Sequence, residues 1–359
     1  MRIRGERDDL AEVFGRASRA VGLRSALPIL QGLWCRAVGN ALQVVGTDLE
    51  MVVRSSTEVE VLEEGETVVP ARLASEAIRK LPPGAVTVGT EDGEVEILGG
   101  GPRFRLREMV IDDFPRLTEP DFSGGVEVEG GRLEAAVAQV SVAASGDAAR
   151  PILTGVLLEG GKEDLRLVAT DSYRLAVCDL PGVKTGRDAL VPARALRELS
   201  RTVGSVKTEV AVGEREAAFR SEKGTLSTRL IEGSFPNYRQ LLPDQYPNIL
   251  VVAREDLLEA LGRAALVAED HIPVRMKMAP DGTELTVSRQ EIGGETEFIK
   301  GEYRGEEVTI AFNPRYLTDG VGVVDAEQVQ IELVDGQKPA VIRGVDDPYF
   351  LYLLMPVRI

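Results

Sequence analysis

Three stretches of this chain carry the same helical stripe. They recur on the order of 120 residues apart, and a period that long marks domains rather than solenoid units. Leu10, Val13, Phe14, Ala17 and Val21 fall at i, i+3, i+4, i+7 and i+11, and so do Leu133, Ala136, Val137, Val140 and Ala144. Leu257, Ala260, Leu261, Ala264 and Ala268 repeat the spacing once more. Each set predicts one apolar face on an amphipathic helix.

A second helix follows each of the first by roughly 60 residues. Val69-Pro70-Ala71-Arg72 and Val191-Pro192-Ala193-Arg194 open two of them, with Pro in a first turn, where its fixed φ and missing N–H are tolerated. Asn313-Pro314-Arg315 opens the third, with Asn as N-cap. Each repeat closes on a related run: Met109-Val110-Ile111 to Phe114-Pro115, Leu230-Ile231 to Phe235-Pro236, and Leu353-Leu354-Met355-Pro356. Between the helices, runs such as Leu42 to Val53, Val86 to Ile97 and Val308 to Phe312 alternate like antiparallel strands, with turns at Asp92-Gly93 and Asp281-Gly282. The expectation is an α+β chain of three domains, each with two helices packed on antiparallel sheet. Boundaries fall at 1–122, 123–246 and 247–359, with linkers from Thr118 to Gly125 and from Pro243 to Asn248. The length of 359 residues agrees, because single cores stop growing near ~250–300 residues.

The chain has no apolar run of about 18 residues, and the start Met1-Arg2-Ile3-Arg4 leads into charged residues. No membrane association and a cytoplasmic location are expected. Cys35 and Cys178 each sit in an apolar strand-like stretch and read as buried thiols.

The formal net charge is −16, which taken alone argues against nucleic-acid binding. The positive charges are nevertheless placed in a pattern. Arg16 and Arg19 lie opposite the first stripe. Arg72 and Arg79 share a face away from Leu73, Ala77 and Leu81, and Arg194, Arg197 and Arg201 oppose Leu196, Leu199 and Val203. The third repeat offers Arg263 and Arg315. One such helix reads as a solvated face. Recurrence in every repeat points to a phosphate-facing surface, sequence-independent and salt-sensitive.

Catalytic constellations are missing. His271 is the single histidine, no cysteine pair has zinc spacing, and no phosphate-cradling G-x-x-x-x-G-K-[ST] loop occurs. Thr47-Asp48 and Thr170-Asp171 recur with the repeat, which favours a turn role over acid–base chemistry. No catalytic residue, metal or cofactor is expected. A carboxylate-dependent nuclease and an acidic peptide-binding adaptor remain as rival readings.

Several segments match one family. Leu27-Pro28-Ile29-Leu30, Ala169-Thr170-Asp171-Ser172-Tyr173-Arg174-Leu175-Ala176-Val177, Phe235-Pro236-Asn237-Tyr238, Phe312-Asn313-Pro314-Arg315-Tyr316-Leu317 and Leu353 to Ile359 stand in its order. Over essentially its full length the chain resembles the bacterial beta sliding clamps. The resemblance implies a head-to-tail homodimer closed into a ring around duplex DNA, without catalysis. It also implies a clamp loader and replicative and repair polymerases as partners, which bind through short linear motifs.

On this resemblance the DNA-facing set is Arg16, Arg19, Arg24, Arg72, Arg79, Arg150, Arg194, Arg197, Arg201 and Arg263. The implied partner-peptide pocket comprises Leu153, Thr170, Ser172, Tyr173, Arg174, Leu175, Pro236, Gln240, Leu241, Asn313, Tyr316, Leu353, Leu354, Met355, Pro356, Val357, Arg358 and Ile359. Leu175, Pro236 and Leu241 would form one wall, and Arg174 would meet a polar group of the peptide. The strand should end before Pro356, which cannot donate to a ladder. Phe104 of one chain and Leu266 and Val267 of another, on the first helix of the third repeat, would close the dimer interface. Ser172-Tyr173, Gln240 and Ile359 stand where many members carry Gly-His, Arg and Leu.

Overall fold

The computed structural model describes every residue except 23–25, 162–163, 205, 244, 269–271 and 359. Arg24, His271 and Ile359 therefore lie outside the described residues. The chain forms two compact units, Met1–Glu134 with Arg194–Leu230, and Ala135–Ala193 with Ile231–Ile359.

In the first unit, a five-stranded and an eight-stranded sheet, all antiparallel, enclose a core. Helices α1 (Arg7–Ala17) and α2 (Ala71–Lys80) pack on each other and against strands of both sheets. Helix α1 buries Leu10, Val13, Phe14 and Ala17, as the stripe predicts, and Val21 packs at the margin beyond its end. Helix α2 buries Ala71, Ala74, Ala77 and Ile78 instead of the expected Leu73, which is 55% exposed. The sequence offers two overlapping stripes on this helix. The one with small side chains lies inside, because alanines let the helix approach α1 closely. Pro70 does not sit in the first turn. It ends a strand, paired with Gly32, and caps the helix from outside. The same unit holds α4 (Ala193–Arg197, from Arg194 onward) and α5 (Leu199–Thr202), two short pieces where one helix was expected.

The second unit is built on a twelve-stranded antiparallel sheet. Helix α3 (Gly130–Ser141) belongs to this unit from Ala135 onward, and Ala136, Val137 and Val140 are buried. Helices α6 (Arg254–Ala264) and α7 (Pro314–Gly322) pack on each other. Helix α6 buries Leu257, Ala260, Leu261 and Ala264 as read from the sequence. Helix α7 starts on a true N-cap, since the Asn313 side chain accepts from the Tyr316 N–H at 3.1 Å. Gly320 lets α7 approach the buried Tyr352, whose ring would lie 2.3 Å from any Cβ there. The strand Phe350–Leu354 ends before Pro356 as expected. It lies inside the sheet, between Arg174–Pro181 and Ala340–Gly344, and so joins strands of the second and third repeats.

Both cysteines are buried free thiols. Burial pushes the Cys35 thiol well above its usual range, which keeps it protonated.

Candidate functional site

Arginines gather on the helices of the first unit. On α2, Arg72 and Arg79 are exposed on the side away from Ala74 and Ile78, and Arg72 meets its helical neighbour Glu76 at 3.2 Å. Arg194, Arg197 and Arg201 are exposed on α4 and α5, opposite the buried Leu196, Leu199 and Val203. Arg194 pairs with Asp48 at 2.8 Å, and Glu198 lies 3.6 Å from Arg201 and 3.9 Å from Arg19. The arginine ends of these pairs are exposed and screened by solvent, whereas Asp48 and Glu198 are only 13% and 20% exposed.

Three members of the expected set stand differently. The Arg16 side chain is only 12% exposed, held by Glu12 and by the Lys223 carbonyl at 2.9 Å, so it braces the unit instead of facing outward. Arg263, in the second unit, forks onto Glu297 at 2.8 and 2.7 Å and also meets Glu259, so its charge is already compensated. Arg150 donates to Asp147 at 3.1 Å and lies 3.4 Å from the Asp171 carbonyl and 3.5 Å from the Ser172 hydroxyl. It therefore stands beside the expected peptide pocket.

The two Thr-Asp pairs build the same turn twice. Thr47 donates through its hydroxyl to the Met51 carbonyl, and Thr170 to the Arg174 carbonyl. Asp48 accepts from the N–H groups of Glu50 and Met51, and Asp171 from those of Tyr173 and Arg174. Leu49 and Ser172 take the left-handed conformation, at φ 76° and 83°. This conformation favours glycine, which explains why glycine can stand in the place of Ser172. In each carboxylate one oxygen is held by backbone donors, as the turn reading expected, and the other meets an arginine, Arg194 for Asp48 and Arg174 for Asp171.

In the second unit this turn projects Tyr173, 59% exposed, next to the end of the last strand. The Met355 N–H donates to the Tyr173 carbonyl at 2.9 Å, and the Val357 N–H donates to that of Ala311 at 2.8 Å. The tail after Pro356 is thus tied down, with Met355 and Val357 partly open to solvent. Tyr173 and Tyr316 stack with ring centres 6.3 Å apart. Leu241 is exposed at the end of the short turn Tyr238–Leu241, and Pro236 and Gln240 are exposed close by in sequence. Leu153 and Thr170 are buried, and Asn313 and Tyr316 are half-buried.

Two expectations about this site are corrected. Leu175 forms no wall, because it is fully buried in a cluster with Val168, Val177, Tyr238, Val341 and Leu353. Strand alternation puts it on the core side, and the same cluster takes Leu353. Leu354 is equally buried. Arg174 is also spoken for. It donates to Asp171 at 2.9 Å and to Asp319 at 2.6 Å, and the Tyr352 hydroxyl lies 3.5 Å from the same guanidinium. That hydroxyl donates to the Tyr316 carbonyl at 2.8 Å, and burial raises its pKa, so it remains a neutral donor. Arg174 is therefore a strut beneath the site. Sequence reasoning missed Asp319, although its position one turn after Tyr316 puts both on one helix face.

Of the expected interface residues, Phe104 is half-exposed on the outermost strand Arg103–Arg107 of the five-stranded sheet. Leu266 is 86% exposed. It and Val267 lie past the end of α6, in a turn that continues the helical bonding. Among the described residues, no helix is long and apolar enough to cross a membrane.

Family models of the DNA polymerase III beta subunit match the chain in succession. The N-terminal domain matches residues 1–118, the central domain 127–237 and the C-terminal domain 239–358. The beta sliding clamp of Streptomyces coelicolor is 33% identical over 376 residues, covering 100% of both chains. That of Synechocystis is 29% identical over 389 residues, again covering 100% of both. The crystal structure of the Bacillus subtilis DNA polymerase sliding clamp superposes with a TM-score of 0.94 at 26% identity, covering 100% of this chain and 99% of that one. A Pseudomonas aeruginosa sliding clamp bound to griselimycin gives 0.93 at 28% identity, with both chains covered in full.

Proposed function

Because this chain belongs to the DNA polymerase III beta subunit family, the beta sliding clamps, we propose that two copies close head to tail into a ring around duplex DNA. The protein is a processivity factor of DNA replication. On this reading it has three domains, 1–122, 123–246 and 247–359, catalyses nothing, and works in the cytoplasm after a clamp loader opens it. Polymerases and repair proteins are held through short linear segments.

The observation that carries the reading is the site around Tyr173. Tyr173, Leu241, Met355 and Val357 leave apolar surface open, while Arg174, Asp171 and Asp319 lock the turn and helix beneath it. A rigid base with a Met-bearing rim suits a surface that receives many partners. The DNA-facing role falls to Arg19, Arg72, Arg79, Arg194, Arg197 and Arg201, whose side chains are exposed on the helical segments of the first unit. An acidic exterior leaves such a lining as the attractive path for phosphate.

Retention on DNA tests the ring. Loaded on a nicked circle, the protein should remain bound and then leave once the circle is cut. Equal retention on linear and circular DNA overturns the proposal.

A further inference from the structure

In the first unit a cavity opens over one cross-strand row of side chains, and among the described residues the matching row of the second unit is covered. In the strands Gly32–Val38, Ala41–Thr47 and Met51–Glu58, Trp34 pairs with Val45 and Val45 with Arg54, forming one cross-strand row. In the strands Gly155–Gly160, Asp164–Thr170 and Arg174–Pro181, Leu157, Val168 and Val177 form the same row one repeat later. That later row is closed: Tyr238 packs on Val168 and Val177, with Phe235 at the margin, and its hydroxyl donates to Glu159 at 3.1 Å. The Arg239 hydrogen bond holds the Glu159 carboxyl below its usual range, so it stays an acceptor.

Over the earlier row, Phe114-Pro115-Arg116-Leu117 stands in the sequence place of Phe235-Pro236-Asn237-Tyr238. Leucine is smaller than tyrosine, and a cavity of about 530 Å³ remains, lined by Trp34, Val45, Arg54, Phe114 and Leu117 among others. This is within the range of about 300–1,000 Å³ usual for ligand sites.

Arg54 supplies a second, independent observation. Its side chain is only 6% exposed. Its Nη2 donates to the Thr118 carbonyl at 2.7 Å and its Nε lies 3.3 Å from Glu119, but its Nη1 is buried without a partner among the described residues. A buried guanidinium donor left without an acceptor is costly and uncommon. Arg36 and Arg116 stand on the rim, with Glu66, Asp112 and Glu119. Glu66 is engaged by Trp34 at 3.3 Å and by Arg36 at 3.4 Å, and Glu119 by Arg54.

We propose that this cavity is a second recognition site, taking a segment of a partner protein that inserts an aromatic side chain against Trp34 and Phe114 and presents a carboxylate to Arg54. The aromatic group would fill the space that Tyr238 fills one repeat later. The carboxylate would make a charge-assisted contact with the part of Arg54 that lines the cavity. The site is built from residues of the first unit alone, whereas the Tyr173 surface belongs to the second.

Trp34 is the chain's single tryptophan, so its emission reports on the cavity directly. The full chain is titrated with the blocked peptide Gly-Ser-Phe-Asp-Ser-Gly and with the control Gly-Ser-Ala-Asn-Ser-Gly. The proposal expects a saturable shift with the first peptide alone, at least tenfold weaker in Arg54→Met. In Leu117→Tyr the shift should disappear while the thermal midpoint holds or rises, because the new ring fills the cavity. Deleting Met355 to Ile359 should leave the titration unchanged. An absent or non-saturable shift, an equal response to the control, unimpaired binding by Leu117→Tyr, or loss on the tail deletion would each overturn it. If Arg54→Met fails to fold, the Leu117→Tyr titration decides.

Discussion

The guanidinium carbon of Arg174, in the second repeat, lies 4.2 Å from the centre of the Tyr316 ring, in the third. The contact adds a cation–π attraction to the ion pairs with Asp171 and Asp319, and so ties the turn that carries Tyr173 to helix α7. Truncation by Arg174→Ala would leave Asp171 buried without its counter-charge. It should destabilise the protein by about 3 kcal/mol in denaturant unfolding, in line with the loss of one partner of a buried pair. Arg174→Lys should recover only part of this, since one ammonium cannot replace the fork. A cost for Arg174→Ala within the surface-substitution range of about 0.5 kcal/mol would show that the strut carries no load.

Leu266 exposes nearly its whole side chain beyond α6. Leu266→Ala with Val267→Ala should yield monomers by light scattering at micromolar concentration, with unchanged far-ultraviolet circular dichroism. A double variant that remains fully dimeric would remove these residues from the interface.

Replacing Arg72, Arg79, Arg194, Arg197 and Arg201 with Ser should weaken DNA binding and flatten its dependence on salt, because fewer counterions are released. Dimerisation should be unaffected. Arg263→Ser, by contrast, should change DNA binding little, because Glu297 and Glu259 already hold that charge. An Arg263 effect as large as that of the five together would reverse this assignment.

Deleting Met355 to Ile359 removes the backbone bonds to Tyr173 and Ala311 but leaves the strand Phe350–Leu354 in place. Calorimetry with a peptide bearing Gln, then Leu and an aromatic residue, should show binding abolished in a protein that is still dimeric. Peptide affinity equal to that of the intact chain would refute the pocket.

Periodicity alone carried much of the fold. The stripes of α1 and α6 went inside residue by residue, because a single apolar face leaves no second choice. Helix α2 offered two faces, and whether Leu73 or Ala74 lies inside depends on the distance to α1, which local sequence does not encode. The Thr-Asp turns were legible because both side chains act on backbone atoms within four residues. Arg16, Arg174 and Arg263 were not legible in the same way. Each was rightly placed on its element, but Lys223, Asp319 and Glu297, which occupy them, are distant in sequence. The depth of Leu175 follows the same logic: alternation gives its side of the strand, and Tyr238 covers that side from another segment.

The interior position of the strand Phe350–Leu354 has a consequence for synthesis. Arg174 and Tyr352, which meet across that strand's neighbourhood, are 178 positions apart. At translation rates of about 5–20 residues per second, the edge of Arg174–Pro181 emerges roughly 10–35 s before the strand that covers it. For that interval the nascent chain carries an unpaired, apolar strand edge, the kind that recruits wrong partners. The second unit therefore cannot complete its sheet in step with the ribosome. It must wait with an open seam that its own last strand closes.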